Sequence, residues 1–91
     1  MVITSIADIA GDNAVHALGT VQQARQLTLT AAGGPARFGD ASVGSAQGVE
    51  LPSGVPVTFF ANPADLNDFI QLSQAHAYIP SGTTLTISYG I

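Results

Sequence analysis

The sequence contains no cysteine, no tryptophan and no lysine, and each absence closes off a class of explanation. Without cysteine there can be no disulfide staple and no thiolate zinc site. Without lysine, and with Arg25 and Arg37 as the only arginines, the net charge of −4 would repel a phosphate backbone rather than attract it. Nucleic acid is therefore not an expected partner. No apolar run approaches the length needed to cross a bilayer, so no membrane partner is expected. The opening Met1-Val2-Ile3-Thr4-Ser5-Ile6 lacks the basic start and continuous apolar stretch of a secretory signal, which predicts a protein made and used without export.

Charge of both signs is scarce: Asp, Glu, Lys and Arg make up 9% of the 91 residues, against roughly 25% in ordinary soluble domains. Two readings account for this. Either part of the surface is apolar and covered by neighbouring protein, or hydroxyls and amides alone keep the domain dissolved. The length supports one domain, and a chain this short buries only about 60–65% of its unfolded surface, so self-association as a dimer or trimer is a natural source of added stability.

What the chain does contain is a succession of short β-rich runs separated by turn residues, the pattern of an all-β sandwich. Runs at 2–9, 14–18, 25–31, 36–38, 48–51, 55–60, 75–80 and 83–91 are expected as strands. Leu27 and Leu29 alternate with Thr28 and Thr30, and Leu85, Ile87 and Tyr89 with Thr84, Thr86 and Ser88, so each of these runs has one apolar and one hydroxyl face. Gly33-Gly34-Pro35 and Ser81-Gly82 are expected to close hairpins, the second joining 75–80 to 83–91. Pro56 predicts an edge position for its strand. One segment departs from the pattern. Asn62 as N-cap, Pro63 at the first helical position and Asp65 in the first turn predict a short helix over 63–73, although 69–72 would also suit a strand.

The sequence offers little for catalysis. Ser42 stands two residues before Gly44, but a nucleophile elbow needs glycine where Asp40 stands. His16 and His76 are far from each other in sequence and have no cysteine to join, so a hydrogen-bonded structural role is expected for each. Asp8 to Asn13 clusters oxygen donors without the alternation or terminal glutamate of a calcium loop and reads as a turn. Gly33-Gly34-Pro35 has neither the following helix nor the lysine of a phosphate cradle. No enzyme, cofactor or metal site is predicted.

The expected interface residues are Val2, Ile3, Ile6, Ile9, Arg25, Arg37, Phe59 and Phe60. Residues 1–13 form either an extended N-terminal arm that adds to a neighbouring subunit or the first strand of their own domain. Phe59 and Phe60, being adjacent in a strand, must face opposite ways, and whichever is exposed becomes the best interface anchor. Each arginine is expected to pair with a carboxylate, within the fold or across a contact.

Three segments, Ala36-Arg37-Phe38-Gly39-Asp40, Gly48 to Gly54 and Ala77 to Gly90, together resemble small structural proteins encoded in tailed-phage and prophage genomes, over roughly residues 20–91. Residues 1–19 and 68–74 depart from that pattern. The resemblance implies a β-sandwich or jelly-roll module on the virion: a head decoration or cement protein bridging major capsid subunits, made in the host cytoplasm and placed on the capsid surface. The alternative is a fibre, tail or head-associated module that recognises a host-surface glycan or protein.

Overall fold

The computed structural model describes residues 2–62, 64–65 and 68–91, and shows eight strands: β1 (Ile3–Ala10), β2 (Ala14–Ala17), β3 (Gln26–Ala32), β4 (Ala36–Gly39), β5 (Val49–Leu51), β6 (Val57–Phe60), β7 (His76–Ile79) and β8 (Thr84–Gly90). They form two four-stranded antiparallel sheets, ordered β1-β8-β3-β6 and β2-β7-β4-β5. The pairings β4·β5, β3·β6, β2·β7 and β1·β8 are those of one long antiparallel ribbon folded at its middle. Wrapping that ribbon on itself adds β3·β8 and β4·β7, which makes the fold a jelly-roll β-sandwich.

The alternation seen in the sequence becomes the division between inside and outside. Leu27, Leu29 and Ala31 of β3 and Leu85 and Ile87 of β8 point inward and meet Ala36, Leu51, Ala77 and Ile79 from the second sheet, all of them buried. Leu18 and Leu72, on the connections, close the core at one end. Phe38 and Phe59 come from opposite sheets and stack with ring centroids 4.7 Å apart, tying β4 to the edge strand β6.

Both expected hairpins are corrected. β4 pairs with β5 and β7 rather than with β3, and β8 pairs with β1 and β3 rather than with β7. The turns at 33–35 and 80–83 instead carry the chain from one sheet to the other. So do the turns at 11–13 and 52–56, and these crossings are stitched together at one end of the sandwich. Gly11 N–H donates to Thr83 O (2.7 Å), Asp12 and Asn13 N–H to Ile79 O (3.2 and 3.0 Å), and Gly54 N–H to Ala31 O (2.7 Å). Ser81 N–H donates to the side-chain oxygen of Asn13, which sits at φ 60°. A turn flanked by two β-runs specifies a reversal, but not whether the second run rejoins the same sheet.

The helix expected over 63–73 is also corrected: no helix occurs among the described residues, and Pro63 and Leu66 lie outside them. Asn62 does cap, but it caps a turn. Its side-chain oxygen accepts from Ala64 N–H at 3.0 Å, and Asp65 and Asp68 N–H follow with bonds three residues back. Beyond them Ile70 exchanges backbone hydrogen bonds with Ala24, and Leu72 N–H donates to Val21 O, which binds 70–72 to 21–24 instead of winding them.

Candidate interface and binding surfaces

Because cross-strand partners point to the same face, the strand registers assemble the outward side chains into transverse rows. On the first sheet, one row reads Ile3, Gly90, Gln26, Phe60 and the next reads Ser5, Ser88, Thr28, Thr58. Thr30 and Thr86 follow on the two central strands. Thr28 and Thr58 hydroxyls are 3.0 Å apart. None of these side chains is charged. The face is a hydroxyl surface ending in a row with an exposed apolar residue at each edge, Ile3 at 56% and Phe60 at 71% exposure. Val2 and Ile91 exchange backbone hydrogen bonds one step beyond Ile3, and both side chains are exposed.

The expected interface residues thus separate by location. Val2, Ile3 and Phe60 face solvent, whereas Ile6, Ile9 and Phe59 pack against the core of their own chain. β1 is an edge strand of the first sheet, paired along one side with β8 and carrying a register irregularity between Ile6 and Ile9. β6, with Pro56 just ahead of it, is the other edge of that sheet.

Arg25 holds the 61–70 connection. Its guanidinium donates to the carbonyl oxygens of Asp65 (3.0 Å) and Asp68 (2.8 Å) and lies 4.3 Å above the Phe69 ring. Its backbone binds Gly90 and Ala61, so one residue fastens the connection after Phe60 to the end of β8.

Arg37 belongs to a row on the outer face of the second sheet: Glu50 of β5, Arg37 of β4, Tyr78 of β7 and Val15 of β2. Its guanidinium donates to Gly48 O at 3.1 Å. Glu50, Arg37 and Tyr78 line a pocket of about 340 Å³ with Pro35, Ala36, Pro80 and Ser45. Ser45 belongs to the connection 40–48. That connection packs through Val43 onto Gly39 and Gly48, and Gly48 is required there: its φ is +109°, and a Cβ would lie 2.5 Å from Val43 Cγ2 and 2.8 Å from Phe38 O.

Asp40 fixes the start of the same connection. Its carboxylate accepts from the Ser42 hydroxyl and from the Ser42 backbone N–H (2.9 Å), and these bonds hold its pKa below the ordinary carboxylate value. Since the folded-state pKa is depressed, this contribution is present at neutral pH and is lost as pH falls through the folded value. Ser42→Ala should raise the Asp40 pKa, which a carboxyl-detected NMR titration would show. An unchanged pKa would mean that the hydroxyl is not the main cause.

His16 and His76 are on the neighbouring strands β2 and β7 but one register position apart, opposite Ala77 and Ala17 respectively. They therefore point to opposite faces of the sheet. His16 Nε2 lies 2.7 Å from Asp12 Oδ1, and His76 Nδ1 lies 3.2 Å from Gln74 O. Among the described residues no group of three His, Asp or Glu side chains is placed to hold a metal.

Not foreseen from the sequence were the uncharged rows at one end of the first sheet, the exposure of Ile91 and the Glu50–Arg37–Tyr78 row. The Thr and Ser alternation was a signal for the first of these, but the partners across each row come from strands distant in sequence. Compared with protein-family models, with curated proteins and with solved structures, the chain matches none.

Proposed function

We propose that this protein is a non-enzymatic structural component of a virion, a decoration or cement protein that bridges and stabilises major capsid subunits from the capsid surface. One observation carries the reading: on the outer face of the first sheet the rows through Ser5, Ser88, Thr28 and Thr58 and through Ile3, Gly90, Gln26 and Phe60 hold no charge, and the second ends in exposed Ile3 and Phe60, while exposed Asp8 lies farther along β1. Hydroxyls exchange water for protein partners at little cost, whereas buried unpaired charges oppose association.

The size of the face fits a repeated weak contact. Three inter-strand spacings and about seven residues of strand give roughly 14 × 23 Å, a few hundred square ångströms. A standard stable interface buries about 800 Å² on each partner, so this face alone binds weakly. Self-association into a dimer or trimer places several such faces on one capsid lattice and multiplies their effect through effective concentration. Val2 and Ile91, paired one register step beyond Ile3, are exposed on the other face of the sheet and stand outside this row.

Deleting the gene from the encoding phage or prophage tests this role. Particles lacking the protein should release their DNA at a lower temperature, and adding purified protein back should restore the original release temperature. Particles equally heat-resistant with and without it would contradict the proposal.

A further inference from the structure

We propose that the outer face of the second sheet carries a binding site for a neutral saccharide, seated against Tyr78 between Arg37 and Glu50. This goes beyond the cohesive role and uses the opposite side of the sandwich, so a molecule attached through its first sheet would present the pocket outward.

Glu50, Arg37 and Tyr78 occupy one transverse row on three adjacent strands, so the row spans two inter-strand spacings, about 10 Å. That is close to the length of a disaccharide. The pocket volume of about 340 Å³ lies at the small end of the range for ligand sites, which begins near 300 Å³. Pro35, Pro80 and Ala36 supply apolar wall, Ser45 supplies a hydroxyl, and half-buried Tyr78 supplies a ring for the C–H face of a sugar.

Charge selects the class of ligand. An anion attracted by Arg37 is repelled by Glu50, and a cation meets the reverse. A neutral polyol avoids both penalties: its hydroxyls accept from the guanidinium and donate to the carboxylate, and hydrogen bonds to ionised groups are the stronger kind. The guanidinium is already oriented by its bond to Gly48 O, which uses one of its five N–H donors. The same Gly48 lets connection 40–48 lie close enough to bring Ser45 to the pocket. The site is therefore largely formed before any ligand arrives.

The test is an amide NMR titration of the isotopically labelled full chain with a set of neutral disaccharides: cellobiose, maltose, lactose and diacetylchitobiose. Glycine betaine and inorganic phosphate serve as zwitterionic and anionic probes. At least one disaccharide should give saturable shifts at Arg37, Ser45, Glu50 and Tyr78, with neither control doing so. Tyr78→Ala and Glu50→Gln should each weaken that binding about tenfold, the effect of losing one charge-assisted bond or one stacking ring. If Tyr78→Ala does not fold, Glu50→Gln on the short edge strand β5 decides the matter. Absence of saturable shifts with every disaccharide, equal binding of betaine, or full affinity in Glu50→Gln would overturn the proposal.

Discussion

Gly11→Ala is expected to destabilise the domain by about 3 kcal/mol, lowering its melting temperature by roughly 12–24 °C. A Cβ at residue 11 would run into the carbonyl of Pro80 and stand 2.7 Å from the carbonyl oxygen of Thr83. Both obstacles are backbone, so no side chain can swing aside. The crossing turn must retreat, and it then gives up the bonds from Gly11, Asp12 and Asn13 to Thr83 and Ile79. Each such bond contributes about 1 kcal/mol net. Against a total stability of roughly 5–14 kcal/mol for a chain of this length, the loss is severe. Gly44→Ala is the control, since nothing lies within 4 Å of a Cβ there, and its effect should stay within about 0.5 kcal/mol. Thermal denaturation of the two variants checks the comparison. Equal melting temperatures would mean that the stitched end does not hold the sandwich together.

The second large effect concerns binding and not folding. Replacing Ile3 and Phe60 together by Ser should leave melting almost unchanged, because both side chains are mostly in solvent and exposed changes shift stability by about 0.5 kcal/mol or less. Under the proposed capsid role, affinity for shells stripped of the protein should fall roughly a thousandfold. Apolar anchors that a partner covers fully contribute about 2 kcal/mol each, and two that stand about 14 Å apart on opposite edges of the sheet, without shared contacts, combine almost additively. Co-sedimentation of wild-type and variant protein with stripped shells measures the difference. Undiminished binding by a folded double variant would remove these two residues from the interface.

The two predictions draw on parts of the molecule that were unequally visible beforehand. Nearly every strand could be placed from alternation and turn residues: 25–31 became Gln26–Ala32, 83–91 became Thr84–Gly90, and 55–60 became Val57–Phe60 with the edge position that Pro56 implied. Local chemistry decides such things, since a β-branched run and a following Gly or Pro act within a few residues. Partner choice is not local. Gly33-Gly34-Pro35 has the composition of a hairpin turn, yet β4 leaves β3 for the other sheet, where Ala36 and Phe38 can join the opposite wall of the core.

The same division applies to the candidate surfaces. That Phe59 and Phe60 face opposite ways followed from strand geometry alone; that Phe60 is the exposed one depended on Phe38 arriving from the second sheet to cover Phe59. Arg25 shows the limit from another side. Partners for a scarce cation were the natural expectation, and those of Arg25 include two backbone carbonyls and an aromatic face on a connection 40 and 43 residues away, which nothing local to residue 25 announces. The 63–73 segment failed for a related reason. Its capping residues are real signals, but backbone bonds from 70–72 to 21–24 compete with helical ones, and nothing local announces them.

Cryo-electron microscopy of the virions to which the proposed role assigns this protein tests the central claim most directly. The account predicts density for this jelly roll at many regularly spaced positions on the capsid shell, with the outer face of the first sheet, and Ile3 and Phe60 with it, turned toward the major capsid subunits. Density confined to the tail or a fibre, absence from the particle, or a shell-bound molecule whose first-sheet face points to solvent would contradict it.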